Sequence, residues 1–140
     1  MDAASINSGT SGLDPSPAAE TLLVADDEES VRTLAGHILR RHGYVVMEAS
    51  NGKEALEIVE QHEGPLEMLV SDVQMPVMGG RELAEALLKL RPGIKVLLLS
   101  GYTDDGLVRN GVIRQQYAFL PKPFTPTELV QCVRQILDHD

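Results

Sequence analysis

The chain has no tryptophan, two phenylalanines, three tyrosines and a single cysteine, Cys132, among 140 residues. One cysteine excludes an internal disulfide framework and any zinc cage built on cysteine pairs. Its place in an amphipathic stretch makes Cys132 a small helix residue. Long apolar runs are missing as well. None approaches the roughly 18 residues of a membrane-spanning helix, and the N-terminus lacks the basic start and apolar stretch of a secretory signal. Positive charge is scarce: 12 Lys and Arg stand against 21 Asp and Glu, a net charge of −9. This leaves no basic footprint for direct binding of nucleic acid. The adjacent pair Arg40-Arg41 reads as a solvated helix end. These absences point to a cytoplasmic protein with no membrane insertion. The apolar fraction of 43% is ordinary and the length suits one domain around one core.

Residues 1–19 differ from the rest. They are rich in Ala, Ser, Gly and Pro and show no apolar period, so they are expected to form a flexible leader or linker outside the fold. From residue 20 to residue 140 apolar runs alternate with helical periods. Val31, Leu34, Ala35, Ile38 and Leu39 share one helix face, and Gly43 stops that helix. Tyr44-Val45-Val46-Met47 is β-prone. Asn51-Gly52 turns into a helix carrying Ala55, Leu56 and Val59, which Gly64-Pro65 breaks. Leu83, Ala84, Leu87 and Leu90 mark a third helix, closed by Pro92-Gly93. Residues 103–115 form a weak helix containing Gly106 and Gly111. Thr125-Pro126-Thr127-Glu128 combines a capping box with proline at the first helical position, and Leu129, Val133, Ile136 and Leu137 carry the last helix. Five apolar strands alternating with five helices predict an α/β protein: a parallel sheet covered on both faces and doubly wound.

In such sheets ligands bind at the carboxyl ends of the strands. Four of the runs end on reactive residues: Leu22–Ala25 on Asp26-Asp27, Met68–Ser71 on Asp72, Val96–Leu99 on Ser100, and Ala118–Pro121 on Lys122. Three carboxylates so close are unfavourable unless a cation joins them or one keeps its proton. All-oxygen donors suit Mg²⁺. Asp26-Asp27 alone reads as a helix cap before it reads as a metal site, but with Asp72 and Lys122 the metal reading prevails. Asp72 is the nucleophile candidate, since carboxylates form aspartyl-phosphates. Lys122 can neutralise phosphoryl oxygens, and Ser100 offers a hydroxyl donor. Pro121 and Pro123 constrain the backbone around Lys122, and the Lys122-Pro123 bond is a candidate for the cis form. Phe119 is open to two readings, core packing or a role at the site. His37, His42, His62 and His139 have no ligand spacing.

Taken in order, Leu22-Leu23-Val24-Ala25-Asp26-Asp27-Glu28-Glu29, Asp72-Val73-Gln74-Met75-Pro76 with Gly79-Gly80, Ser100-Gly101-Tyr102 and Lys122-Pro123-Phe124 resemble the receiver domain of response regulators in two-component phosphorelays. The resemblance covers about residues 20–138. It implies the flavodoxin-like (βα)5 fold with strand order 2-1-3-4-5. It implies Asp72 as phosphoacceptor, and Asp26, Asp27, Asp72 and the backbone carbonyl of Gln74 as Mg²⁺ ligands. Ser100 and Phe119 would be the switch residues and Lys122 the phosphate contact. The implied partner is a histidine kinase or a histidine phosphotransfer protein, with room for a homodimer. The output surface would be segment 104–116 with the last strand and last helix. The Ser100-Gly101-Tyr102-Thr103-Asp104 and Phe119–Phe124 segments look most like receivers of hybrid sensor histidine kinases. No DNA-binding effector is expected after Asp140.

Two alternatives remain at this level: a stand-alone single-domain regulator, and a Mg²⁺-dependent phosphatase with an aspartate nucleophile. The phosphatase pattern places its nucleophile after the first strand with a second Asp two residues on, and Asp26-Asp27-Glu28 lacks that spacing.

Overall fold

A computed structural model of the chain describes residues 19–101 and 117–138. The order is β1 (Thr21–Ala25), α1 (Glu29–Arg41), β2 (Val45–Ala49), α2 (Gly52–Gln61), β3 (Met68–Asp72), α3 (Gly80–Leu90), β4 (Lys95–Ser100), β5 (Tyr117–Pro121) and α4 (Pro126–Asp138). The expected leader and the helix expected over 103–115 lie outside the described residues, apart from Ala19, as does His139.

All five residues of β1 and of β3 are buried, and five of six in β4. Uninterrupted apolar strands of this kind need cover on both faces. The sheet is five parallel strands in the order β2-β1-β3-β4-β5, as expected. Strand period 2 sorts the side chains onto its two faces. Leu23, Ala25, Leu69, Val96 and Leu98 meet Ala55 and Val59 of α2 and Leu83, Ala84 and Leu87 of α3. Leu22, Val24, Val70, Leu97 and Leu99 meet Ala35, Ile38 and Leu39 of α1 and Leu129 and Val133 of α4. Two helical faces are narrower than the sequence pattern suggests: Leu34 is 50% exposed and Leu90 49%.

The helix ends follow local chemistry. α1 stops where Gly43 takes φ +94°, a left-handed conformation that costs glycine no Cβ clash. Its amide and that of His42 bond Arg40 and Leu39 carbonyls. Asn51 Oδ1 accepts the Glu54 amide at 2.8 Å and caps α2. α4 begins with the expected reciprocal box: the Thr125 amide donates to Glu128 Oε1 at 2.8 Å and the Glu128 amide donates to Thr125 Oγ1 at 3.1 Å. Arg40 departs from expectation. It is not merely solvated at the helix end, because its guanidinium donates to Glu48 and to the Val46 carbonyl on β2.

The register then fixes the functional edge. Ala25 aligns with Ala49 and Ser71, Asp72 with Leu99, and Ser100 with Pro121, so the strands finish together at one side of the sheet. Among the described residues, no helix is long and apolar enough to cross a membrane.

Gly80 joins α3 to this edge. A Cβ there would stand 2.1 Å from the Asp72 carbonyl oxygen, which belongs to buried backbone that has little room to give. Gly80→Ala is expected to destabilise the fold by about 2 kcal/mol or more, as overpacking does. Gly93→Ala, with nothing within 4 Å of its Cβ, should change stability by less than about 0.5 kcal/mol. Urea denaturation of the two variants tests the contrast, and equal effects would refute it.

Candidate functional site

Asp26 follows β1 directly and is fully buried. Its backbone amide donates to the Ala49 carbonyl at 3.1 Å, extending the ladder to β2. Its carbonyl accepts from Arg32 Nη1 at 2.9 Å, and its Oδ1 accepts the Glu28 amide at 2.9 Å. Oδ2 lies 3.2 Å from Lys122 Nζ. That contact neutralises charge but misses hydrogen-bond alignment, so among the described residues Oδ2 is a buried oxygen with no hydrogen bond. Asp27 is exposed.

Asp72 closes β3 and is 7% exposed. Its carbonyl accepts from Ser71 Oγ at 2.9 Å, and its Oδ2 lies 3.3 Å from Lys122 Nζ. Lys122 leaves β5 with its amide donating to the Ser100 carbonyl at 2.9 Å, and the following bond to Pro123 is cis. Glu28 adds a further carboxylate, with Oε1 3.6 Å from the same ammonium.

These charges shape one another. Burial, reinforced by the charge of Asp26, pushes the Asp72 carboxyl up to about 6 in spite of the opposing pull of Lys122. Burial disfavours the charge on Lys122, yet Asp26 and Asp72 outweigh it and hold the ammonium above its ordinary range. Oxygens of Asp26, Asp27 and Asp72 come within 4.8 Å of one another. An excess of carboxylate over ammonium, an all-oxygen donor set and the orphaned Oδ2 of Asp26 together fit a hard divalent cation such as Mg²⁺.

The structure therefore brings Asp26, Asp72 and Lys122 into contact, with Asp27 in reach. Ser100 is buried at the end of β4, one strand from Asp72. Gln74 sits two residues beyond Asp72 in the loop leading to α3 and is exposed. Phe119 is half-buried on β5, aligned with Leu98 and packed on the core shared with α2 and α3. Sequence reasoning missed Glu28, Arg32 and Glu48. The i, i+4, i+8 spacing of Arg32, Gly36 and Arg40 was visible, but nothing in one sequence pairs that stripe with Glu48.

A doubly wound α/β domain with clustered carboxylates and a lysine at the carboxyl edge of its sheet is a known class of signalling module. Residues 22–134 match the response regulator receiver domain, and the chain belongs to this family of two-component phosphoacceptors. It is 42% identical over 118 residues to the sensor kinase CckA of Brucella abortus, covering 84% of this chain and 12% of that one. Among solved structures it is similar to the receiver domain from the hybrid histidine kinase CckA (34% identity, TM-score 0.65, covering 84% of this chain and 99% of that one). It is also similar to the chemotaxis protein CheY4 of Vibrio cholerae (30% identity, TM-score 0.75, covering 85% and 99%). The chain spans 12% of CckA and 24% of the regulator NtrC of Azospirillum brasilense, and 94% of the sporulation initiation phosphotransferase F of Bacillus subtilis, to which it is 26% identical.

The raised Asp72 pKa has a definite sign in stability. Below about pH 4 the carboxyl is protonated folded and unfolded, and contributes nothing. Between about 4 and 6 the unfolded chain releases the proton while the folded one keeps it, so stability falls as pH rises through this window. A shift of about two units corresponds to roughly 3 kcal/mol as an upper figure. Without divalent cations, Asp72→Asn is expected to melt higher than the parent at pH 7.5, with the gap closing towards pH 4. A variant that melts lower at pH 7.5 would contradict this.

Proposed function

We propose that Asp72 is the phosphoacceptor of a receiver domain spanning residues 20–140, charged by a phosphohistidine on a histidine kinase or phosphotransfer protein. The observation that carries this reading is the Lys122 ammonium bridging Asp72 Oδ2 at 3.3 Å and Asp26 Oδ2 at 3.2 Å, the latter a buried oxygen with no hydrogen bond among the described residues. An Asp72 oxygen attacks phosphorus, the P–O bond forms, and the P–N bond breaks with its electron pair left on the imidazole nitrogen. Lys122 offers its charge to the phosphoryl oxygens, and Ser100 its hydroxyl. Asp26, Asp27, Asp72 and the Gln74 carbonyl would hold Mg²⁺, which when bound neutralises charge on the transferring group. An open groove beside Lys122, lined by Glu28, Val31, Leu34, Pro123 and Phe124, supports a macromolecular donor over a small substrate.

The phosphorylated state is read through Ser100 and Phe119 at the face of β5 and α4 together with the segment between β4 and β5. Phe119 has no hydroxyl, so its part in switching is a change in ring burial. The identity to a sensor kinase favours a receiver attached to a hybrid kinase over a stand-alone regulator, and a cytoplasmic setting for the transfer.

Incubation with Mg²⁺ and a small phosphodonor such as acetyl phosphate, followed by intact-mass measurement, should add one phosphoryl group to the parent and none to Asp72→Ala. Lys122→Met should slow the gain by about tenfold or more. Failure of the parent under conditions that label another receiver sinks the reading. Equal labelling of Asp72→Ala sinks the residue assignment.

A further inference from the structure

The β1–α1 corner is held from behind by a charged ladder. On α1, Arg32, Gly36 and Arg40 fall at i, i+4 and i+8, one stripe of the helix. Glu48 of β2 lies against it. Arg40 Nη1 donates to Glu48 Oε2 at 2.8 Å, and Arg32 Nε stands 3.6 Å from Glu48 Oε1. Gly36 makes room for this carboxylate: a Cβ there would stand 2.6 Å from Glu48 Oε2. The Arg32 side chain is only 17% exposed and Glu48 23%. With its orientation fixed by Glu48, Arg32 sends Nη1 to the Asp26 carbonyl at 2.9 Å.

That carbonyl belongs to the peptide joining Asp26 to Asp27. Asp26 is otherwise secured by the Ala49 carbonyl and the Glu28 amide. The carboxylate of Asp27 has no hydrogen bond among the described residues. Its hold on the fold runs through its backbone, and Arg32 bonds the carbonyl of the peptide that precedes it.

We infer that Arg32, oriented by Glu48 across Gly36, is a positioning residue that aims the Asp26-Asp27 pair for cation binding. Partners that orient ligands without touching the ion are known to matter at metal sites. Arg32 donates to the peptide carbonyl and makes no hydrogen bond to either carboxylate among the described residues. The inference rests on the phosphoacceptor reading above only in taking this pair as the cation ligands.

Mg²⁺ affinity measured by calorimetry on folded protein tests it. Arg32→Met is expected to weaken Mg²⁺ binding by about tenfold. Arg32→Lys, which keeps one donor on a long stem, should recover most of that loss. Arg91→Met loses bonds to the Gly64 and His62 carbonyls and touches neither Glu48 nor Asp26, and should bind Mg²⁺ within about twofold of the parent even where its melting temperature drops. Arg32→Met within twofold of the parent overturns the inference. So does Arg91→Met weakened as much as Arg32→Met, which would mean general loosening of the fold. A parent chain that binds no Mg²⁺ overturns the cation assignment itself and the inference with it, and is told apart by the parent measurement alone.

Discussion

Lys122 Nζ stands 3.2 Å from one buried carboxylate and 3.3 Å from another, a single ammonium set against Asp26, Asp27 and Asp72. At an effective dielectric constant of about 20, two unit charges roughly 4 Å apart interact by about 4 kcal/mol. Each repulsion among the carboxylates is therefore of the same order as each attraction to the lysine, and one lysine cannot offset three acids. Burial first and the Asp26 charge second raise the Asp72 carboxyl, while Asp26 and Asp72 raise the Lys122 ammonium against its burial. The site is built for more positive charge than its own residues supply.

The fold creates the imbalance through strand order. β1 and β3 are neighbours, so Asp26 and Asp72 leave the sheet side by side, at the point where the chain crosses from one half of the sheet to the other. β5 lies two strands from β3. With strands about 4.8 Å apart, the group that closes the site must reach across nearly 10 Å, over the end of β4. The Lys122 stem, the Asp72 side chain and the 3.3 Å contact between them together cover that distance, and Ser100 ends the strand they cross. The reach explains why the Lys122 backbone is itself pinned to the Ser100 carbonyl at 2.9 Å.

The strands and the three contacting residues Asp26, Asp72 and Lys122 were legible because each rests on local pattern: apolar runs, turn residues and the polar residue at the end of each run; the order of the strands followed only from the resemblance to receiver domains. The cap of α4 was legible for the same reason, since Thr125 and Glu128 are three residues apart. The features that stayed hidden depend on pairings across the chain. Asp26 and Asp27 are adjacent and chemically alike, yet one is fully buried and the other exposed. Only the ladder to β2, through the Ala49 carbonyl, decides which. Glu48 likewise looks like an ordinary polar strand residue until Gly36 and Arg40 are set against it. Leu34 and Leu90 show the opposite error, in which an apolar period overstates the width of a buried face.

The site has a fixed half and a half coupled to the sheet's far side. At the β1 end, Asp26 is held by the Ala49 carbonyl, Arg32, the Glu28 amide and Lys122, and its fixity is shared with α1 and β2. At the β4–β5 end, Ser100 and Lys122 are joined by one backbone bond, and Phe119 packs only partly into the core. Under the proposed reading, charge arriving at Asp72 alters forces on Lys122 and Ser100 while Asp26 stays in place. The response is thus directed along β4 and β5 towards α4. An asymmetric site of this kind lets the cation-binding half serve as a reference, so that a change of charge at one carboxylate becomes movement in one direction instead of a general loosening of the sheet edge.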